Sequence, residues 1–264
     1  MEGYALVTGG SSGIGECYAY RLAEAGWGVI IVSNRHDENS RVVKAITSRY
    51  GVEAKMLTID LTESDAAEQV YSWCKGWGIR VDILVNNAGM LLFSQLENSE
   101  PSQLEKIIAL HCTTPTKLCR LFGGDMAQRG SGRILLMSSV SAWMPYPTIS
   151  HYAATKVYLK NFGQALWYEM RRRGVSVTTV FPSAVDTPLY ELDEKIRKRL
   201  LRFGVMLKAD EVARKALRAM FKGRRRSIPG LLTKLEAGIC WLLPSWALLP
   251  VLKIPMVKRI LERV

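Results

Sequence analysis

YALVTGGSSGIG, residues 4–15, runs from an apolar segment through four glycines and two serines into a segment of different periodicity. Past the glycines, Ile14, Tyr18 and Leu22 recur every fourth residue, with Cys17 and Ala25 on the same side, which is helix spacing. A strand that turns through glycines into a helix brings backbone N–H groups and the positive end of the helix dipole to one point, where a pyrophosphate is held. Gly9, Ser11, Ser12 and Ile14 are therefore candidate phosphate-binding residues. The alternative is a Gly/Ser turn that only caps a helix.

Outward from this unit the same alternation continues. Apolar, β-branched runs at Tyr4–Val7, Val29–Val32, Ala54–Ile59, Ile83–Asn86, Ile134–Met137, Val175–Phe181 and briefly near Ser227 and Ile228 are separated by helical patterns. Strand–helix alternation predicts parallel strands joined by right-handed crossovers, with helices on both faces. The expected fold is α/β, a doubly wound, mostly parallel sheet of about seven strands followed by a C-terminal helical extension. A chain of 264 residues, 48% hydrophobic and 23% charged, is long enough for one large core domain and too apolar to be generally disordered. Its expected boundaries are 1–229 for that domain and 230–264 for the extension.

Composition narrows the function. Five cysteines without framework spacing, and no clustered histidines, argue against a disulfide scaffold or a metal site and for a reducing compartment. The opening MEGYALVTGG has no basic segment and no long apolar run, so no export signal is expected. Charge is uneven: Lys195 to Val264 hold 18 Lys and Arg against 4 Asp and Glu, whereas the first 194 residues hold 18 against 20. An anionic partner surface is expected for the basic end alone.

Further motifs sit at predicted strand ends, where ligands bind on a parallel sheet. VNNAG, residues 85–89, offers Asn87 and Ala88 with little bulk; Asp60 and Leu61 end the third strand. The Asp60 carboxylate is placed to accept from an adenine amino group or to cap a following helix, and the roles are compatible. SHYAATK, residues 150–156, puts Tyr152 and Lys156 one helical turn apart on one face.

Together these pieces resemble the short-chain dehydrogenase/reductase family, whose signatures are TGxxxGxG, NNAG, a Ser, YxxxK and a Pro-Gly turn followed by Thr. Here they read Thr8–Gly15, Asn86–Gly89, Ser139, Tyr152–Lys156 and PSAVDT, residues 182–187, in order over about Gly3 to Ile228. The resemblance implies a Rossmann fold and an oxidoreductase that interconverts a secondary alcohol and a ketone by hydride transfer. It makes Tyr152 the acid/base, Lys156 its cationic partner and ribose ligand, and Ser139 the donor that orients the substrate oxygen. Val185 and Thr187 would meet the nicotinamide end and the phosphates. A free phenol has a pKa of about 10; an adjacent ammonium and an oxidised nicotinamide both favour phenolate, which brings that value toward the working pH.

Three departures bear on the details. His111 stands where many members have an Asn in the fourth helix, with either a structural or a proton-relaying role. Ser183 replaces the glycine of the Pro-Gly turn. Ser33, Asn34 and Arg35 follow the second strand where NAD enzymes of this kind carry an acid, so Arg35, with Ser11 or Ser12, favours NADP(H) over NAD(H).

An apolar, lipid-like or steroid-like substrate is expected from Met90, Leu91, Leu92, Phe93, Trp143, Met144 and Tyr146, and from an amphipathic lid spanning Leu189–Leu207. The tail has an apolar core from Ala237 to Leu252, broken by Pro244 and Pro250 and short of the roughly 20 residues of a spanning helix. With Lys222–Arg226, Lys253, Lys258 and Arg259, and with Trp241 and Trp246 at a headgroup boundary, residues 222–264 read as a peripheral membrane contact. Packing on the body or at a dimer contact is the other reading. Nucleic acid is the poorer partner, because the basic residues are interleaved with Leu, Trp and Pro and no nucleic-acid module is present. By analogy with the family, helices near Ser102–Phe122 and Ser150–Arg172 would form a homodimer or homotetramer. The expected location is cytoplasmic, on the cytoplasmic membrane face. A catalytically silent cofactor-binding sensor or scaffold at the membrane is the competing function, opposed by the presence of Ser139, Tyr152 and Lys156.

Overall fold

A computed structural model describes residues 2–144, 147–188 and 193–242. Tyr146, the lid residues 189–192 and the tail from 243 onward, with Pro244, Trp246, Pro250, Lys253, Lys258 and Arg259, lie outside the described residues, as does the side chain of Trp241.

The chain alternates as expected: β1 (Glu2–Thr8), α1 (Gly13–Glu24), β2 (Trp27–Ser33), α2 (His36–Tyr50), β3 (Ala54–Thr58), α3 (Ala66–Gly76) and β4 (Val81–Asn86). Next come α4 (Pro101–Ile108), a π-helical turn (Ala109–Thr113), α5 (Thr114–Arg129), β5 (Gly132–Met137), α6 (Ser150–Arg171) and β6 (Val175–Val180). The last elements are β7 (Val185–Asp186), α7 (Glu194–Arg202), β8 (Leu207–Lys208), α8 (Ala209–Phe221), β9 (Arg226–Ser227) and α9 (Leu231–Leu242). The main sheet runs β3-β2-β1-β4-β5-β6-β9 with every pairing parallel. Strand order reverses between β1 and β4, which opens a crevice at the carboxyl ends of those two strands.

β2, WGVIIVS, is buried along its whole length because helices cover both sheet faces. Val29, Ile31 and Val7 join Tyr18, Leu22, Val212 and Met220 on one side, while Leu6, Ile30 and Val32 join Leu84, Phe122, Leu136 and Leu159 on the other. Each such aliphatic side chain contributes about 1.5–3 kcal/mol on burial. The strand ends β1, β4, β5 and β6 are thereby held rigidly, and these ends carry the motifs.

The structure differs from the sequence reading in places. The helix foreseen near Ser102–Phe122 is one helical run interrupted by the π turn, which contains His111. β7 and β8 pair outside the main sheet; strands of two residues carry no periodic signal. Asp60 does not cap a helix, since α3 begins at Ala66; its Oδ1 accepts from Thr62 N and Thr62 Oγ1, both at 2.9 Å, closing an Asx turn instead.

Candidate active site

Every catalytic and cofactor-binding candidate named from the sequence lines one cleft of about 490 Å³ at the crevice between β1 and β4. Along the sheet, Arg35, Asp60 and Leu61 follow β2 and β3 at one end, the glycine loop with Gly9, Ser11, Ser12 and Ile14 and the β4 turn with Asn87 and Ala88 take the middle, and Ser139, Tyr152, Lys156 and Val185 the other end, while Thr187 lies against Gly13 of the glycine loop.

The glycine loop is shaped by close approach. Gly9 has φ +64, and a Cβ there would lie 2.9 Å from Ala88 Cα; a Cβ at Gly15 would lie 2.0 Å from Gly9 O. Only glycine fits either position without moving backbone. Thr8, fully inside, knits the loop to β4: its hydroxyl donates to Val85 O at 3.3 Å and accepts from Asn87 N at 2.9 Å and Ala88 N at 3.0 Å. Asn87 Nδ2 donates to Thr8 O and Gly9 O, so this amide braces the loop. Among the described residues no side chain caps α1 at Ser12, which leaves its first N–H groups facing the cleft. A tight glycine cradle at an uncapped helix start fits the pyrophosphate of a dinucleotide.

At the Arg35 end, buried Asn39 accepts from Ser33 Oγ at 2.7 Å and donates to Ser33 O at 3.2 Å, fixing the exit of β2. Arg35 is exposed and makes no ion pair among the described residues. Arg41 pairs with Glu16 at 2.7 Å and donates to Ser11 O at 3.2 Å, a brace on the phosphate loop. Asn39 and Arg41 sit in the first half of α2 and have no motif to announce them. Lys106, Leu110 and Thr62 also line the cleft and were not foreseen.

At the opposite end, Lys156 is 5% exposed, its Nζ donates to Met137 O at 3.0 Å, and it lies 5.1 Å from the centre of the Tyr152 ring. Burial brings this ammonium down from its ordinary value to about 8, with Cys112 opposing that shift. Ser138 Oγ donates to Lys156 O at 2.8 Å, tying β5 to α6. Ser139 Oγ accepts from Ser141 N at 3.2 Å. Among the described residues this hydroxyl donates to no acceptor, and it lines the cleft.

His111 is fully buried, and its partners fix its tautomer. Met90 N donates to Nε2 at 3.0 Å, so Nε2 carries no proton. Nδ1 lies 2.8 Å from Thr155 Oγ1, whose hydroxyl is donated to Tyr152 O at 2.8 Å; Nδ1 is therefore the donor. Burial first, and the Lys156 charge second, hold His111 well below the usual imidazole range. Protonation would set an Nε2–H against the Met90 N–H. Of the two roles left open by the sequence, the geometry favours the structural one.

Met90 lines the cleft, whereas Leu91, Leu92, Phe93 and Met144 are not on its wall. Trp143 packs on Phe181 at 4.4 Å between ring centres and under Lys160 Nζ at 5.6 Å. It braces the turn after Ser139 and forms no wall of the cleft. The described part of the lid, residues 193–207, holds α7, which is capped by Asp193 Oδ1 and has no buried residue, and ends on the buried Met206 and Leu207. Ile196 and Phe203 are exposed there beside Arg197, Lys198 and Arg202.

A sequence profile described as short chain dehydrogenase matches residues 3–197. The bovine (Bos taurus) very-long-chain 3-oxoacyl-CoA reductase is 32% identical over 197 residues, covering 72% of this chain and 61% of that protein. The chain thus spans about three fifths of that relative's length. Human (Homo sapiens) 17-beta-hydroxysteroid dehydrogenase type 3 is 30% identical over 251 residues, covering 94% of this chain and 77% of that one. Among solved structures, a short-chain dehydrogenase from Sphingobium yanoikuyae in complex with NADPH superposes with a TM-score of 0.79 at 26% identity, covering 92% of this chain and 96% of that one.

Proposed function

This chain belongs to the short chain dehydrogenase family, and from that premise we propose that it is an NAD(P)-dependent oxidoreductase interconverting a secondary alcohol and a ketone on an apolar substrate. One observation carries the reading: Tyr152, Lys156 and Ser139 share a cleft with the glycine loop, at the end opposite Arg35. A bound nicotinamide supplies a hydride to the carbonyl carbon, or takes one from the carbinol carbon. In the direction of reduction, Ser139 donates to the carbonyl oxygen and holds it toward the Tyr152 hydroxyl. As the C–H bond forms, that oxygen takes the Tyr152 proton and becomes the alcohol, leaving phenolate, which solvent reprotonates; oxidation runs the same transfers in reverse. Lys156 keeps a cation beside the phenolate, and with one proton on Met137 O it directs the others into the cleft, toward the cofactor ribose.

NADP(H) is the preferred cofactor, because Ser33, Asn34 and Arg35 line one end with no carboxylate among them and Arg35 makes no ion pair among the described residues. Ser11, Ser12, Asp60, Leu61, Val185 and Thr187 complete the cofactor site. An apolar substrate is supported by the relatives, one named for a 3-oxoacyl-CoA and the other for a hydroxysteroid.

The segment 222–264 is assigned a peripheral contact with an anionic membrane on the cytoplasmic side. Supporting it, α9 exposes Leu231, Leu235, Ile239 and Leu242 shortly after the exposed Lys222, Arg224 and Arg225. No helix of the described residues is long and apolar enough to cross a membrane. A homodimer or homotetramer through α4–α5 and α6 is supported by exposed Ile108, Val157 and Tyr158 on those helices.

The test follows NADPH or NADH at 340 nm with long-chain 3-oxoacyl thioesters, oxosteroids, retinal and small ketones. Turnover by the parent and its loss by at least about a thousandfold in Tyr152→Phe is expected; equal turnover by the two would end the proposal.

A further inference from the structure

Ser183 occupies the place where the family turn has glycine, and its hydroxyl has a specific partner. Ser183 Oγ donates to Glu236 Oε2 at 2.8 Å. Glu236 belongs to α9, outside the matched residues 3–197 and in the segment otherwise read as a membrane contact. α9 is seated on the body through Thr233 and Ala237, which are 2% and 5% exposed, and it packs on the short 3-10 turn Val140–Ala142 that follows Ser139.

The turn after β6 is gripped from three sides. Val140 N donates to Pro182 O at 3.0 Å, Leu207 N of β8 donates to Ala184 O at 2.9 Å, and Ser183 reaches Glu236 of α9. These grips are themselves joined: a Cβ on Gly230, at the start of α9, would lie 3.0 Å from Leu207 Cδ1, and Leu232 lies against Gly204 just past α7. Ser183 lines the cleft with Val185 and Thr187. The helix that leaves the catalytic domain is therefore bonded to the wall of its cofactor site.

We propose that Glu236 is a positioning residue for the nicotinamide end of the cofactor, acting through Ser183 to hold the turn Pro182–Thr187 in its binding shape. This rests on the cofactor placement proposed above. The carboxylate accepts the only proton the Ser183 hydroxyl has to donate, so the hydroxyl oxygen is fixed toward one side of the turn. α9 thus serves the cofactor site as well as presenting an apolar outer face.

The experiment measures the dissociation constant of NADPH, or of NADH if the parent binds it more tightly, for the full-length parent, Ser183→Ala, Ser183→Gly, Glu236→Ala, Glu236→Gln and the double variant Ser183→Ala/Glu236→Ala. Thermal melts confirm folding. Ser183→Ala and Glu236→Ala are each expected to weaken binding about tenfold, with the double variant no weaker than either single one. Glu236→Gln, which keeps an acceptor oxygen, is expected to stay within about threefold of the parent, and kcat at saturating cofactor to change little in all of them. Parental affinity in Ser183→Ala, or losses that multiply in the double variant, would overturn the assignment. Should Glu236→Ala not fold, Ser183→Ala against Ser183→Gly still tests it, since both remove the hydroxyl and are expected to lose affinity equally. A parent that binds neither dinucleotide would instead refute the proposed function.

Discussion

Replacing Lys156 with Met should make the cofactor-free protein more stable near neutral pH, by an amount that shrinks as the solution becomes alkaline. Burial lowers the Lys156 pKa from 10.5 to about 8. The charged form is thus penalised by folding, and between those two values the unfolded chain binds more protons than the native one, so native stability rises with pH across that window. At 1.36 kcal/mol per unit, the penalty is about 3 kcal/mol at pH 7 and about 1 kcal/mol at pH 9.5. Methionine removes it at every pH, but also forfeits the bond to Met137 O, a cost of about 1–2 kcal/mol that does not depend on pH. The net gain is about 1–2 kcal/mol at pH 7, and the gap between variant and parent should move against the variant by about 2 kcal/mol on going to pH 9.5. Urea unfolding of both proteins at pH 7, 8, 9 and 9.5 measures this. It is best done in a Tyr152→Phe/Cys112→Ala background, so that neither neighbour titrates; His111, held below the usual imidazole range, is already neutral throughout. A gap that stays constant with pH would refute the desolvation of Lys156. Loss of turnover in Lys156→Met with Tyr152 intact would mean that the buried cation is kept for function at the expense of stability.

Other outcomes follow from the same geometry. Arg35→Ala should raise the KM for NADPH about 10–100-fold and that for NADH by less than about threefold, as steady-state kinetics with both cofactors will show; equal effects would reject Arg35 as the phosphate partner. His111→Asn should keep most of kcat, because the imidazole is fixed as a neutral bridge between Met90 and Thr155; a loss beyond about a hundredfold would mean that the ring moves protons. Lys222→Glu/Arg224→Glu should weaken sedimentation with phosphatidylserine vesicles by more than about tenfold and leave turnover of a small ketone unchanged. Unaltered vesicle binding would remove these residues from the membrane contact.

Local backbone geometry decides what can be read straight from the chain. Strand–turn–helix at residues 4–15 needs only the glycines and the change of apolar period, and Tyr152 and Lys156 share a face because a helix has 3.6 residues per turn. Such facts hold within one element and survive any arrangement of the others, so the strand–turn–helix unit and the closeness of Lys156 to the Tyr152 ring were legible in the chain alone. The protonation of His111 was not, because it depends on Met90 and Thr155, which lie 21 and 44 residues away along the chain. The use of Asn87 as a brace on Thr8 and Gly9, the packing of Trp143 on Phe181, and the reach of Glu236 to Ser183 have the same origin. Each is a contact between elements whose separation in sequence carries no signal, and the packing of helices on both faces of the sheet alone brings them within bonding distance.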